Sequence, residues 1–261
     1  MLHDLTKSDW QALLNIPDER IPAALIIRGT RALKRYCAEM RQYFSNILDI
    51  CDPNVVIDDV FIGQLDGTCV AFASVYGAPM ASEIVHVFGV LGTPLVIQIG
   101  CCGALAGPLS AGDLLAVSSA YCGEGASQYY KQDGKEVSAT LRLEETLSSA
   151  GEEPLKIHCG RVYTTSALFA ESSDDIEKWA AQGFCGVDME TAATFAVAEY
   201  FGMDRGALLY VYDCPKNGEH ILTTDEEKSR HRRLGNQRMI QVAFKTIRNH
   251  IRSQKAQSSK K

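Results

Sequence analysis

The chain has 261 residues, 46% of them hydrophobic and 22% charged, with a formal net charge of −6. These proportions suit a soluble globular protein, and the acidic balance argues against a whole-surface binder of nucleic acid or membrane. No apolar run approaches the ~20 residues of a membrane span, and residues 1–8 lack the basic-then-apolar order of a secretion signal, so a cytoplasmic protein is expected.

Short runs rich in Val, Ile and Leu alternate with helix-like segments along the chain. Strands are expected over residues 24–28, 69–75, 95–99, 113–119, 156–165, 184–188 and 207–213. Several are apolar on both faces, as strands inside a largely parallel or mixed sheet are. Helices are expected to begin near Arg31, Pro79, Ala139, Asp174, Met189 and Glu226. Pro79 suits a helix start, where a missing N–H costs nothing. In the last helix, Ile240, Phe244, Ile247 and Ile251 follow one another at four, three and four residues, which makes one apolar face. The polar stretch 253–261 reads as a disordered tail, and residues 1–252 as a single domain.

This alternation predicts an α/β fold, a three-layer α/β/α sandwich with a central mixed sheet. In such folds ligands bind beyond the C-terminal ends of strands. That rule selects the turns after Ile99 and around Gly77, and the segments after Asp188 and Val211. The nine cysteines form no C-x-x-C pair and no metal spacing with histidine, so free thiols are expected, with no metal and no cofactor. No G-x-G-x-x-G follows the first strand, which weakens a dinucleotide-binding reading.

At Gly186-Val-Asp-Met-Glu-Thr-Ala-Ala193 an acidic pair stands where a strand gives way to a helix. A carboxylate there can accept hydrogen bonds from two vicinal sugar hydroxyls, favoured by the helix N-terminus. Equally, Asp188 and Glu190 can simply cap the helix. The segment resembles the V-E-M-E motif of the nucleoside phosphorylase family, which includes uridine phosphorylases and hexameric purine nucleoside phosphorylases. Five further segments resemble that family in the same order: Leu2-His-Asp-Leu-Thr-Lys-Ser-Asp9, Ser74-Val-Tyr-Gly-Ala-Pro-Met-Ala-Ser82, Ile97-Gln-Ile-Gly-Cys-Cys-Gly-Ala104, Ala111-Gly-Asp113 and Tyr212-Asp213.

The resemblance implies a nucleoside-cleaving enzyme, with phosphate as co-substrate and pentose 1-phosphate as product. Glu190 would bind the ribose hydroxyls with Met189 against the sugar, and His3 would reach the ribose of a neighbouring subunit in a homo-oligomer, a dimer or hexamer. Phe169 would stack on the base, and Asp213 would serve as general acid toward a purine. Gly29, Arg31, Gln98 and Cys101 would form the phosphate site. This last site departs from the family pattern, because Gln98 stands where the family has arginine and residues 55–59 carry no basic residue. Arg28, Lys34 and Arg35 are the cations nearby in sequence. Two alternatives therefore stay open: a nucleosidase that uses water, although residues 28–31 contain no acid to activate it, and a silent nucleoside-binding protein.

Overall fold

The computed structural model describes residues 1–51, 54, 57–151, 157–223 and 225–258. Within them, ten strands form one mixed sheet. They are β1 (Ala24–Gly29), β2 (Ser45–Ile50), β3 (Val60–Leu65), β4 (Thr68–Val75), β5 (Leu95–Ala104), β6 (Leu114–Cys122), β7 (Glu136–Ser138), β8 (Ile157–Thr164), β9 (Phe184–Asp188) and β10 (Asp204–Asp213). The helices are α1 (Lys7–Leu14), α2 (Leu33–Arg41), α3 (Gly77–Leu91), α4 (Leu141–Ser148), α5 (Ser173–Ala181), α6 (Thr191–Tyr200) and α7 (Glu226–Ser258).

Strands β1, β4, β5 and β10 run parallel and are buried along nearly their whole length, as their unbroken apolar runs require. Helices α1, α3 and α6 pack on one face with Leu14, Val85, Phe88 and Val197. Helices α2, α4 and α7 cover the other with Met40, Leu143, Phe244 and Ile247. All four apolar residues noted in the last helix are buried there. The sheet also curls on itself: β5 pairs with β10 and β9, β10 with β6, β6 with β8, and β8 with β9, so five strands close into a ring.

All seven expected strands are present; Lys156, assigned to the fifth of them, lies outside the described residues. Three strands and one helix were not expected. Strands β3 and β4 form a hairpin whose two-residue turn is Asp66-Gly67, both at positive φ. Such a turn matches the twist of the paired strands. Helix α1 begins with a capping box, in which the Thr6 hydroxyl accepts from the Asp9 N–H and the Asp9 carboxylate accepts from the Thr6 N–H. Helix α7 runs on to Ser258, past the expected start of a disordered tail at Ser253, because nothing in Ser253-Gln-Lys-Ala-Gln-Ser breaks a helix already nucleated upstream. Residues 259–261 lie outside the described residues.

Candidate active site

Strands β1, β5, β9 and β10 bring their C-terminal ends to one cavity of about 730 Å³. This is a volume suited to a small organic ligand. Its walls include Gly29, Arg31, Cys101, Phe169, Met189, Glu190 and Asp213, so seven of the nine residues singled out in the sequence converge there.

The junction of β9 and α6 separates the two roles that its acidic pair could share. Asp188 is the capping residue: it accepts from the Thr191 N–H at 2.8 Å and the Glu190 N–H at 3.3 Å. It also accepts from the hydroxyls of Thr164 and Thr191 and from Gln98 Nε2 at 3.2 Å. Burial pushes its carboxyl above the ordinary range, and the hydrogen bonds from Thr191 and Thr164 oppose that shift. Because Asp188 satisfies the helix start, Glu190 is released to face the cavity. Its Oε1 accepts from the Gly77 N–H at 2.8 Å. Burial, then the charge of Asp188, pushes the Glu190 carboxyl up to about 8, against the pull of the Gly77 and Met189 N–H groups and of Arg31.

Gly29 makes room for this carboxylate, since a Cβ at residue 29 would lie 2.5 Å from Glu190 Oε2. Gly29→Ala therefore displaces the carboxylate while leaving the sheet intact. Misplacement of a reacting group by about 1 Å costs roughly a hundredfold in rate. We expect that loss in kcat/KM for nucleoside cleavage, with an unchanged circular dichroism spectrum; full activity in Gly29→Ala would remove Glu190 from the reaction.

Asp213 closes the far end of β10. The pairing of β10 with β5 shifts register between Val211 and Asp213, so Tyr212 is the extra residue of a bulge. A bulge re-aims the side chain that follows it. Gly103 leaves space for this side chain, its own Cβ position lying 3.2 Å from Asp213 Oδ1. Burial raises the Asp213 carboxyl to about 6, opposed by the positive charge of Arg232 and reinforced by Glu219.

Glu171 went unnoticed in the sequence, where it is one of many acidic residues beyond Phe169. It lines the same cavity, and its Oε1 is buried without a hydrogen-bond partner among the described residues. Burial, then the charges of Asp213 and Asp175, pushes its carboxyl up to about 7. Tyr36, Tyr76, Tyr210 and Tyr212 add aromatic walls that no spacing rule singles out.

At the rim, the Arg31 guanidinium lies 4.5 Å from the centre of the Tyr76 ring and 5.4 Å from that of Phe169. Phe169 itself is 81% exposed. Cys101 is a thiol rather than a thiolate, since burial and then the charge of Glu190 push it up to about 12. That removes it as a nucleophile.

Two expected site residues stand elsewhere. Gln98 is fully buried and is not a wall of the cavity; its amide donates to Asp188 Oδ2 and to the Thr191 hydroxyl at 2.9 Å. It braces the capping carboxylate. His3 is exposed, its ring 6.3 Å from that of His86, and it does not line the cavity of its own chain. Its expected role belongs to the cavity of a second subunit. Of residues 55–59, the stretch without a basic residue, residues 55 and 56 lie outside the described residues. No group of three or more potential metal ligands occurs among the described residues, nor does any helix long and apolar enough to cross a membrane.

A mixed sheet in which five strands close into a ring, with Glu190 and Asp213 lining one cavity at the strand ends, is the arrangement of a nucleoside phosphorylase fold. The sequence profile of the phosphorylase superfamily matches residues 42–248, and the chain belongs to that superfamily. Its relatives include a DeoD-type purine nucleoside phosphorylase of Clostridium beijerinckii, 26% identical over 247 residues, which span 90% of this chain and 96% of that one. A guanosine phosphorylase of Halorubrum lacusprofundi is 27% identical over 172 residues, 63% of this chain and 71% of that one. In fold, the chain is similar to uridine phosphorylase from Vibrio fischeri, with a TM-score of 0.76 at 21% identity over 90% of this chain and 94% of that one. It is similarly close to purine nucleoside phosphorylase from Toxoplasma gondii in complex with immucillin-H, with a TM-score of 0.74 at 20% identity over 91% of this chain and 95% of that one.

Proposed function

We propose that this chain cleaves the N-glycosidic bond of a purine nucleoside with phosphate, giving free base and pentose 1-phosphate. The observation that carries the reading is the placing of Glu190 and Asp213 in one cavity. Glu190 is anchored by the Gly77 N–H, and burial raises the Asp213 carboxyl to about 6, so the group can carry and deliver a proton far closer to neutral pH than an ordinary aspartate. The purine and guanosine phosphorylases among the relatives point the same way.

As the bond from C1′ to N9 lengthens, its electron pair moves into the base and positive charge grows on the sugar. Hydrogen bonds donated by the ribose hydroxyls favour the ionised form of Glu190, whose raised carboxyl then acts as a carboxylate that stabilises that charge. Asp213 gives its proton to purine N7, so the base leaves neutral. A phosphate oxygen then forms the new bond to C1′. Gly29, Cys101 and the Arg31 guanidinium lie along the wall where that anion would enter. Glu171 adds a second proton-bearing carboxyl near Asp213, suited to an edge of a purine that both donates and accepts.

A panel of purine and pyrimidine nucleosides, assayed chromatographically for base release with phosphate present, tests the proposal. Guanosine or inosine should be consumed in preference to uridine. Uridine cleaved faster than every purine would overturn the base assignment, and no release from any nucleoside would leave a silent binder.

A further inference from the structure

A second cavity, of about 650 Å³, shares the walls Arg28, Tyr36, Tyr210 and Tyr212 with the first but opens toward α2 and α7. Alternation along β1 explains the division. The Gly29 position faces Glu190, whereas Arg28 shares its face of the sheet with Ala24 and Ile26, the face that α7 covers. Arg28, Arg35, Arg232 and Arg233 line this second space, and among the described residues Glu39 is its one acidic wall residue.

Glu39 is already engaged, pairing with Arg35 at 3.0 Å. Arg28 is 1% exposed, with its guanidinium 3.8 Å from the centre of the Tyr36 ring and its Nη2 donating to Asn236 Oδ1 at 2.6 Å. Its Nε and Nη1 are buried without partners among the described residues. Arg232 is 8% exposed; its Nε donates to the Tyr212 carbonyl at 2.6 Å, and its Nη2 is likewise buried and unpartnered. No carboxylate forms an ion pair with either guanidinium among the described residues; Asp213 feels the charge of Arg232 only at longer range.

A buried lysine can shed its proton to escape such a position, but arginine cannot. Two buried, fixed positive charges with unfilled N–H groups therefore call for an anion, and planar guanidinium forks match the paired oxygens of phosphate and carboxylate groups. We infer that the cavity between β1, α2 and α7 is a second anion site, in which Arg28 and Arg232 hold a phosphate group. This site is separate from the turn at Gly29 and Cys101, and it stands whether or not the chain is a phosphorylase.

The test is calorimetric titration of the full chain with inorganic phosphate and, separately, with guanosine 5′-monophosphate. Gln237 is an exposed wall residue of the second cavity alone, so Gln237→Glu places a carboxylate there with little risk to folding. Arg28→Met removes the central cation, and Arg31→Gln alters only the first cavity. Binding should weaken at least tenfold in Gln237→Glu and Arg28→Met and persist in Arg31→Gln. Wild-type phosphate affinity in Gln237→Glu, or no heat from either probe, would overturn the inference. Nucleotide binding that is tighter than that of phosphate and is blocked by guanosine would show one phosphate monoester spanning both cavities; otherwise the ligand is free phosphate. Arg31→Gln touches only the first cavity and Gln237→Glu only the second, so failure of this site and failure of the phosphorylase reading are separately visible.

Discussion

Glu190→Gln lowers kcat/KM for nucleoside cleavage by about two to four orders of magnitude while the protein remains folded. The carboxylate is expected to accept from two ribose hydroxyls, and hydrogen bonds to a charged group contribute about 1.5–3 kcal/mol each. At about 1.4 kcal/mol per factor of ten, losing the charge of that acceptor reaches this range. The fold is spared because the amide oxygen of the introduced glutamine can still accept from the Gly77 N–H, while Asp188 continues to cap α6. The native carboxyl is raised to about 8 by burial and by the charge of Asp188, so the folded chain holds a proton that the unfolded chain releases. A group of this kind favours folding below the ordinary carboxylate range, and its contribution is lost as pH rises through about 8. The neutral amide escapes that loss, so the variant should melt no lower than the parent at pH 8.5. Steady-state kinetics beside a thermal melt checks both halves. Parental kinetics would remove Glu190 from the site, and a collapsed melt would make it a structural residue.

Asp213→Asn should lower kcat by about two to four orders of magnitude, the usual contribution of a positioned general acid. The effect should depend on pH in a defined direction. The raised Asp213 carboxyl gives up its proton near 6, so the acid form declines above that value and kcat/KM for a purine nucleoside should fall with it. In Asp213→Asn the fall that begins near 6 should disappear. Nucleosides whose base leaves readily without protonation should be spared most of the loss. The sign for stability is the same as for Glu190: folding is favoured below the ordinary carboxylate range, and that advantage is lost as pH rises through about 6. A variant that is equally slow on activated and ordinary nucleosides would show that Asp213 shapes the pocket without donating a proton.

Much of this site was legible because its elements follow local rules. The passage from a β run to a helix at Val187-Asp-Met-Glu190, and the Gly-rich ends of β1 and β5, announce strand ends where ligands bind. The division of labour between Asp188 and Glu190 was not legible, since both capping and sugar binding suit a carboxylate at a helix start. It is decided by Thr164 and Gln98, which lie far away in sequence and, of the two carboxylates, hydrogen-bond to Asp188. Gln98 misled in the same way. Its position suggests a phosphate ligand, but a tertiary contact turns its amide toward Asp188, away from the cavity.

Glu171, and the burial of Arg28, were opaque for a different reason. Each is one charged residue among many, and only burial without a partner sets them apart. The edge strand β2 carries half-exposed side chains and so lacks the apolar run that marked its neighbours. By contrast, the Asp66-Gly67 turn of the β3–β4 hairpin was present in the sequence as a recognisable signal.

The most direct test of the central claim is phosphorus NMR of the reaction with inosine or guanosine in phosphate buffer, compared with a phosphate-free control. The account predicts a pentose 1-phosphate resonance that grows in step with base release, and no release without phosphate. Base release at the same rate in both, with free pentose as the only sugar product, would contradict it and make water the acceptor.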